Sequence, residues 1–343
     1  SKEDLALTKF KKVVAEYPNS PESIEAVSTA RLIYVDKGQV DEYADWVKTL
    51  SFIEVSDADL DNDTYESAEK QYLQNNSKQA ISGFSSYVSK FPNGIHALKA
   101  NFYLAQLYFA DNLEANSVKH YEFVVAKPRN EFTEQALARL CQVHLKAKNY
   151  DSAIPVLKRL ETEADFPQNI TYAQSNLMKS YYEKQDFVNA VVYADKVLKN
   201  DKIDDRIKSD AQIIVARSAI KTNDEAKAKE AYAKLQKIAK GELAAEALYY
   251  DAYFKNKEGK FEPSNVVVQK IAQDYSGYKY YGAKSLVIMA KNFYGLKDSF
   301  QATYILESVI ENFKEYTDVI EEAQKELDFI KGEEAKRNSS ITN

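Results

Sequence analysis

Apolar residues along this chain recur at i, i+3 and i+4 over stretches of several helical turns, which is the spacing of an α-helix with one buried face. Short polar or Gly-containing breaks interrupt the pattern at Lys37-Gly38, Asp111-Asn112, Lys148-Asn149, Gln185-Asp186, Asn223-Asp224, Glu258-Gly259 and Lys297-Asp298. Each break separates a first helix from a second. Aligning the second helices on a small residue a few positions after the break gives Ala6, Tyr43, Ala80, Ser117, Ala153, Ala190, Ala228, Ser264 and Ala302. The steps between them are 37, 37, 37, 36, 37, 38, 36 and 38 residues. Self-similarity at such a period is the signature of a repeat array, in which each unit buries its apolar face against its neighbours.

The first helices test this register independently. Twelve residues before the anchors stand Ala68, Ala105, Cys141, Met178, Ala216, Ala252 and Ala290, and in the first unit Arg31 with Ala30 beside it. Small residues are what two helices need where their backbones approach closely, so these positions are expected to be buried at helix crossings. Four residues after the anchors come Phe10, Phe84, Tyr121, Leu157, Ala194, Tyr232, Val268 and Leu306, which continue an apolar stripe, and in the first unit Lys48 stands five after Tyr43. Each unit therefore reads as a helical hairpin with one buried face.

A small residue followed by an aromatic in the first helix, and Ala followed by an aromatic in the second, resembles the tetratricopeptide repeat. The phrases AEYPNSPESIEA (Ala15 to Ala26) and SKFPNGIHA (Ser89 to Ala97) are similar to the variant found in periplasmic outer-membrane assembly and Tol-Pal accessory proteins of bacteria. The period here is longer than the family's usual ~34 residues. The resemblance implies an all-α, right-handed α-solenoid of about eight hairpins that binds a protein or peptide along a groove lined by the first helices, in the periplasm or envelope of a bacterium. Groove positions in that family lie 18, 15, 11 and 8 residues before the anchor. Carried onto this sequence they include the aromatics Tyr65, Tyr72, Phe102, Phe109, Tyr172, Tyr182, Tyr249 and Tyr253. These eight are expected to be partly exposed and to lead partner binding. Among them fall polar groove positions such as Gln106, Gln135, Lys179, Asp210, Arg217 and Glu246.

Residues 1–18 read as the second helix of a truncated repeat, 19–314 as the array, 315–337 as a capping helix and 338–343 as a disordered tail. The pattern lapses at 51–63, and the first unit carries Tyr43 where Ala belongs. A truncated first unit without a signal segment suggests a fragment of a longer repeat protein or a processed form.

Composition narrows the possibilities further. Only 9 Gly and 7 Pro in 343 residues exclude the many tight turns of a sandwich or barrel. A net charge of −6, without a long Lys/Arg block, argues against nucleic acid as a partner. No apolar run approaches the ~18 residues of a membrane span, and the single Cys141 forms no internal disulfide. The chain is expected to be a monomer.

Candidate chemistry is sparse. His96, His120 and His144 fall on three different helices by the repeat register, and His144 occupies the aromatic slot of its unit. Cys141 and His144 stand at i, i+3, but a nucleophile between helices lacks substrate access and an orienting third group. The run Asp57-Ala-Asp59-Leu-Asp61-Asn-Asp63 resembles half of an EF-hand loop, then fails: Asn62 stands where Gly is needed and Ala68 where a bidentate Glu is needed. It is expected to be a bending loop with negative charge before a helix N-terminus. No enzyme activity, metal or cofactor is expected. The alternative function is a glycan- or peptidoglycan-associated module, for which Tyr-rich surfaces would stack sugars.

Overall fold

A computed structural model describes the backbone of residues 1–341 and the side chains of residues 1–337. Among the described residues there are 18 α-helices and no strand. The chain divides into two compact units, residues 1–170 and 171–343. The first holds α1 (Lys2–Glu16), α2 (Pro21–Lys37), α3 (Val40–Val47), α4 (Asp57–Leu73), α5 (Ser77–Lys90), α6 (Ala97–Ala110), α7 (Glu114–Ala126), α8 (Thr133–Lys146) and α9 (Tyr150–Glu163). Helix α10 (Pro167–Glu183) leads into the second unit, which continues with α11 (Phe187–Leu198), α12 (Asp205–Lys221), α13 (Glu225–Leu235), α14 (Gly241–Lys257), α15 (Phe261–Asp274), α16 (Lys279–Gly295), α17 (Ser299–Asn312) and α18 (Thr317–Ile341). Within each unit, helices pack on their chain neighbours, as in an all-α solenoid of stacked hairpins.

One backbone device makes every hairpin turn. Gly38, Asn75, Asn112, Lys148, Gln185, Asn223, Gly259 and Lys297 all adopt positive φ, between 53° and 73°. Each stands five residues before a second-helix anchor. After each, the next backbone N–H reaches back to the carbonyl five residues earlier, as Gln39 does to Tyr34 at 2.8 Å, Asn149 to His144 at 2.8 Å and Asp298 to Phe293 at 2.9 Å. This closes the first helix and satisfies its orphan carbonyls. The second helix then starts on a capping side chain in four units, where Asn149, Asp186, Asp224 and Asp298 accept from the backbone N–H three residues on.

The register read from small residues is the register of the core. Ala68, Ala105, Cys141, Met178, Ala216, Ala252 and Ala290 are all buried, as are the anchors from Tyr43 to Ala302. Close approach explains the small side chains: a Cβ built on Gly83 of α5 would stand 2.8 Å from the Cβ of Ala68 on α4. The first unit departs from the pattern. Ala6 is only partly covered and Leu7 is buried in its place, whereas beyond Tyr43 the stripe keeps its register, with Val47, four residues on, buried and Lys48 exposed. Tyr43, where Ala is expected, packs on Tyr34 and Trp46, and α3 is only eight residues long.

The acidic run is not a loop. The irregular segment ends at Ser56, and Asp57 already opens α4. Its carboxylates turn inward or cap. Asp59 closes a reciprocal capping box with Ser56. Asp61 is buried, accepting from the Tyr87 hydroxyl and from the Ile95 N–H at 3.0 Å. Asp63 is fully buried and takes a two-toothed bond from Arg31, whose Nε donates at 2.8 and 2.9 Å. At the other end Val319, Ala323, Leu327 and Ile330 of α18 close the core over α16 and α17. The tail expected at 338–343 lies outside the residues whose side chains are described.

Candidate functional site

The first helices carry the candidate site, and their side chains meet across successive hairpins. In the first unit, the Tyr72 hydroxyl of α4 donates to Gln106 of α6 at 3.3 Å, and the Arg139 guanidinium of α8 lies 4.5 Å from the ring centre of Phe109 on α6. In the second unit, Lys179 of α10 donates to Asp210 of α12 at 2.5 Å. Arg217 of α12 grips Glu246 of α14 through Nε at 3.0 Å and Nη2 at 2.6 Å. Lys284 of α16 sits 4.9 Å over Tyr249 of α14. Side chains one repeat apart on this face therefore complement one another in sign and shape.

Of the eight aromatics expected to be partly exposed, Tyr72, Phe109, Tyr172, Tyr182 and Tyr253 are partly exposed. Tyr65, Phe102 and Tyr249 are not, each being 3% to 5% exposed. The reason is aromatic density. Tyr65 is sandwiched against His96 at 4.1 Å with its hydroxyl on Glu69 at 2.7 Å, and Phe102 is stacked on Phe132 at 4.3 Å. Tyr249 is boxed in by Tyr250, Tyr253 and Tyr281. Rings that the period assigns to a surface are thus covered by rings from the next hairpin.

Two open cavities lie on the first-helix face of unit one. One, of about 550 Å³, is lined by Tyr72, Gln106, Leu107, Phe109, Ala110, Tyr121, Gln135 and Arg139. The other, of about 520 Å³, runs from Gln135, Ala138, Arg139 and Gln142 to Arg129, Glu134 and Phe166. They share Gln135 and Arg139 as a common wall. Sequence reasoning named Tyr72, Phe109 and Gln135 but passed over Arg139, one residue beyond a groove position. It also assigned Tyr121 only to the buried stripe, where nothing in the sequence marks its hydroxyl as unusual.

The reactive groups elsewhere are quiet. The Cys141 thiol is buried, which pushes it up to about 12, far from the thiolate a nucleophile needs. His120 is buried against Asn101, its Nδ1 at 2.7 Å from the amide oxygen, and burial drives it down to about 4. Burial alone would raise the Glu246 carboxyl, but its bonds to Arg217 and to the Tyr232 hydroxyl at 2.8 Å leave it lowered. Among the described residues no three His, Cys, Asp or Glu side chains converge as metal ligands. No described helix is long and apolar enough to cross a membrane.

No curated protein matches the chain. Solved structures do. A tetratricopeptide repeat protein from Parabacteroides merdae ATCC 43184 aligns at 12% identity and a TM-score of 0.37, over 77% of this chain and 98% of its own. PilW, a type IV pilus biogenesis factor, aligns at 14% identity and a TM-score of 0.33, over 69% of this chain and 94% of its own. Yeast Tom70 aligns at 14% identity and a TM-score of 0.39, over 99% of this chain and 66% of its own. Residues 48–174 match the family of tetratricopeptide repeat-like domains. Residues 48–174 are thus a tetratricopeptide repeat-like domain by their family match, and the same hairpin with the same positive-φ turn recurs along the all-α chain to Lys297.

Proposed function

We propose that the protein is a non-catalytic scaffold that binds a protein or peptide partner along the face formed by its first helices. The observation that carries this reading is the pair of adjoining open cavities on that face, walled by aromatic rings, amides, the two arginines Arg129 and Arg139 and, in the second cavity, carboxylates. Amphipathic rings and guanidinium groups are the side chains that contribute most to protein recognition, because they present large contact area at small entropic cost. The partly exposed rings Tyr72, Phe109, Tyr172, Tyr182 and Tyr253 remain the proposed contact residues. Sugar stacking is less well served: Tyr182 stands edge-on to Phe187 and Tyr253 edge-on to Phe254, so neither pair offers a flat platform. Placement in a bacterial envelope rests on the phrases around Tyr17 and Phe91, and fractionation of the expressing cell tests it.

Phe102, being core, is unsuitable for testing the surface. The double change Phe109→Ala with Tyr182→Ala is suitable. Once a partner is isolated by pull-down, this variant should bind it at least tenfold more weakly, the loss expected of one or two interface anchors. Its melting curve should stay close to that of the parent. Undiminished binding would remove the first-helix face as the working surface.

A further inference from the structure

A third cavity, of about 390 Å³, is lined by none of the proposed contact rings; it lies between α5 and the turn joining α2 to α3, with α4 as its floor. Short side chains open it. Ser82 and Ser86 stand two and six residues after the anchor Ala80, on the face of α5 that borders the space. At the position of Ser86, five of the six later second helices carry Phe123, Arg159, Lys196, Lys234 and Lys270, chains long enough to lie across such a gap.

The wall is made of hydrogen-bond donors. Ser67 of α4 is only 7% exposed, and its hydroxyl makes no hydrogen bond among the described residues; nor do those of Ser82 and Ser86 or the amide of Gln79. The Ser180 and Ser218 hydroxyls are unpaired and sealed from solvent, but that of Ser67 is not sealed. It points across the cavity to Gly38, where a Cβ would stand 3.8 Å from it and meet nothing else within 4 Å. Buried hydroxyls are nearly always paired, so this one is served from the cavity.

Cations frame the same space. Lys37 of α2 and Lys90 of α5 line it, tied to Asp4 and Asp41, whose carboxylates are mostly exposed. Exposed pairs contribute little, so both ammoniums can turn to a doubly charged acceptor. Helix α3 also begins here: Val40 and Asp41 line the cavity, and Gln39 gives no side-chain cap, which leaves the first N–H groups as donors. Asp41 is the one carboxylate on the wall, Val40 and Ala68 are the apolar side chains, and no aromatic ring faces the space. Donors outnumber acceptors, and a stacked sugar or an apolar ligand finds no surface.

We propose that this cavity binds a phosphomonoester, its oxygens hydrogen-bonded by Ser67, Ser82 and Ser86 and paired with Lys37 and Lys90, with the alcohol part in the remaining volume. A phosphate monoester carries nearly two negative charges at neutral pH and three strong acceptor oxygens, which suits donors converging from three helices better than the two oxygens of a carboxylate do. The chemistry is the same for a small phosphorylated molecule and for a phosphorylated serine of a partner.

Isothermal titration calorimetry of the full chain with glucose 6-phosphate and with the blocked tripeptide Ala-phosphoserine-Ala, each beside its phosphate-free form, tests this. At least one phosphorylated probe should bind, with its phosphate-free form at least tenfold weaker, and the tighter probe names the source of the phosphate. Lys37→Gln and Lys90→Gln should each weaken it about tenfold, and Ser67→Ala by a smaller factor. Ser86→Phe, which copies Phe123 of the next unit, should abolish binding with a melting curve close to that of the parent; should it fail to fold, Lys90→Gln and Ser67→Ala decide. Binding that survives these substitutions, equal binding of a phosphate-free form, or no heat from either phosphorylated probe at millimolar concentration would overturn the inference. The double change Phe109→Ala with Tyr182→Ala should leave the phosphate affinity unchanged, and a loss there would place the ligand on the first-helix face instead.

Discussion

His120 shows how a single side chain can tie stability to pH. It is neutral in the fold, held down to about 4, whereas an unfolded histidine titrates near 6.5. Between those values the unfolded chain binds more protons than the folded one, so stability is fully present above about pH 6.5 and falls as pH drops toward 4. Chemical denaturation at pH 7 and pH 4.5 should differ by about 2 kcal/mol more in the parent than in His120→Gln. Equal pH dependence in the two proteins would relieve His120 of this role. Glu246 makes a second test. Replacing it by Ala leaves Arg217 and the buried Tyr232 hydroxyl without their acceptor, and the loss should be about 2 to 4 kcal/mol in urea unfolding. A loss under 1 kcal/mol would mean that water replaces the carboxylate.

At the scale of the helix and its turns, the recurring positive-φ residue is where local chemistry and fold disagree most. Glycine is comfortable there, and Gly38 and Gly259 use it, but Lys148, Gln185 and Lys297 hold the same conformation with a Cβ. Lys148→Gly and Gln185→Gly should therefore each raise stability, by about 0.5 to 1 kcal/mol. Differential scanning calorimetry of the two variants checks this, and a lower melting temperature in both would refute it. The opposite outcome holds at the helix crossings. Ala216 is fully buried, and Ala216→Leu should overpack the hairpin of α12 with its neighbours at a cost of about 1 to 3 kcal/mol.

For the molecule as a whole, hairpins that pack on their neighbours in the chain give a sum of local stabilities rather than one cooperative core. Unfolding monitored by calorimetry and by tyrosine fluorescence should be broad, with at least two steps corresponding to residues 1–170 and 171–343. A single sharp two-state transition by both probes would contradict that expectation. Amide exchange should be fastest at α3 and residues 48–56, where a short helix is followed by irregular chain. Protection there equal to that of α6 or α8 would show that Tyr43 and Trp46 anchor the segment better than its length suggests.

Periodicity was legible from the chain alone because burial of one face per helix is a local requirement, repeated at every hairpin. Ala105, Cys141, Ala216, Ala252 and Ala290 stand at the same register and are all buried for the same reason. What the period could not reveal is which rings the next hairpin covers. Tyr65, Phe102 and Tyr249 all stand 15 residues before their anchors, at one of the four positions expected to line the groove, yet stacking on His96, Phe132 and Tyr281 takes them into the core, while Tyr72 and Tyr253, 8 and 11 residues before theirs, stay partly exposed. The same limit hid the inward carboxylates Asp61 and Asp63, since their partners Tyr87 and Arg31 lie 26 and 32 residues away. Arg139 and Tyr72 line one cavity only because α4, α6, α7 and α8 fold around it. Sequence sets the repeat because each hairpin must solve the same burial problem; tertiary structure selects the site, because complementarity depends on side chains brought together from different hairpins.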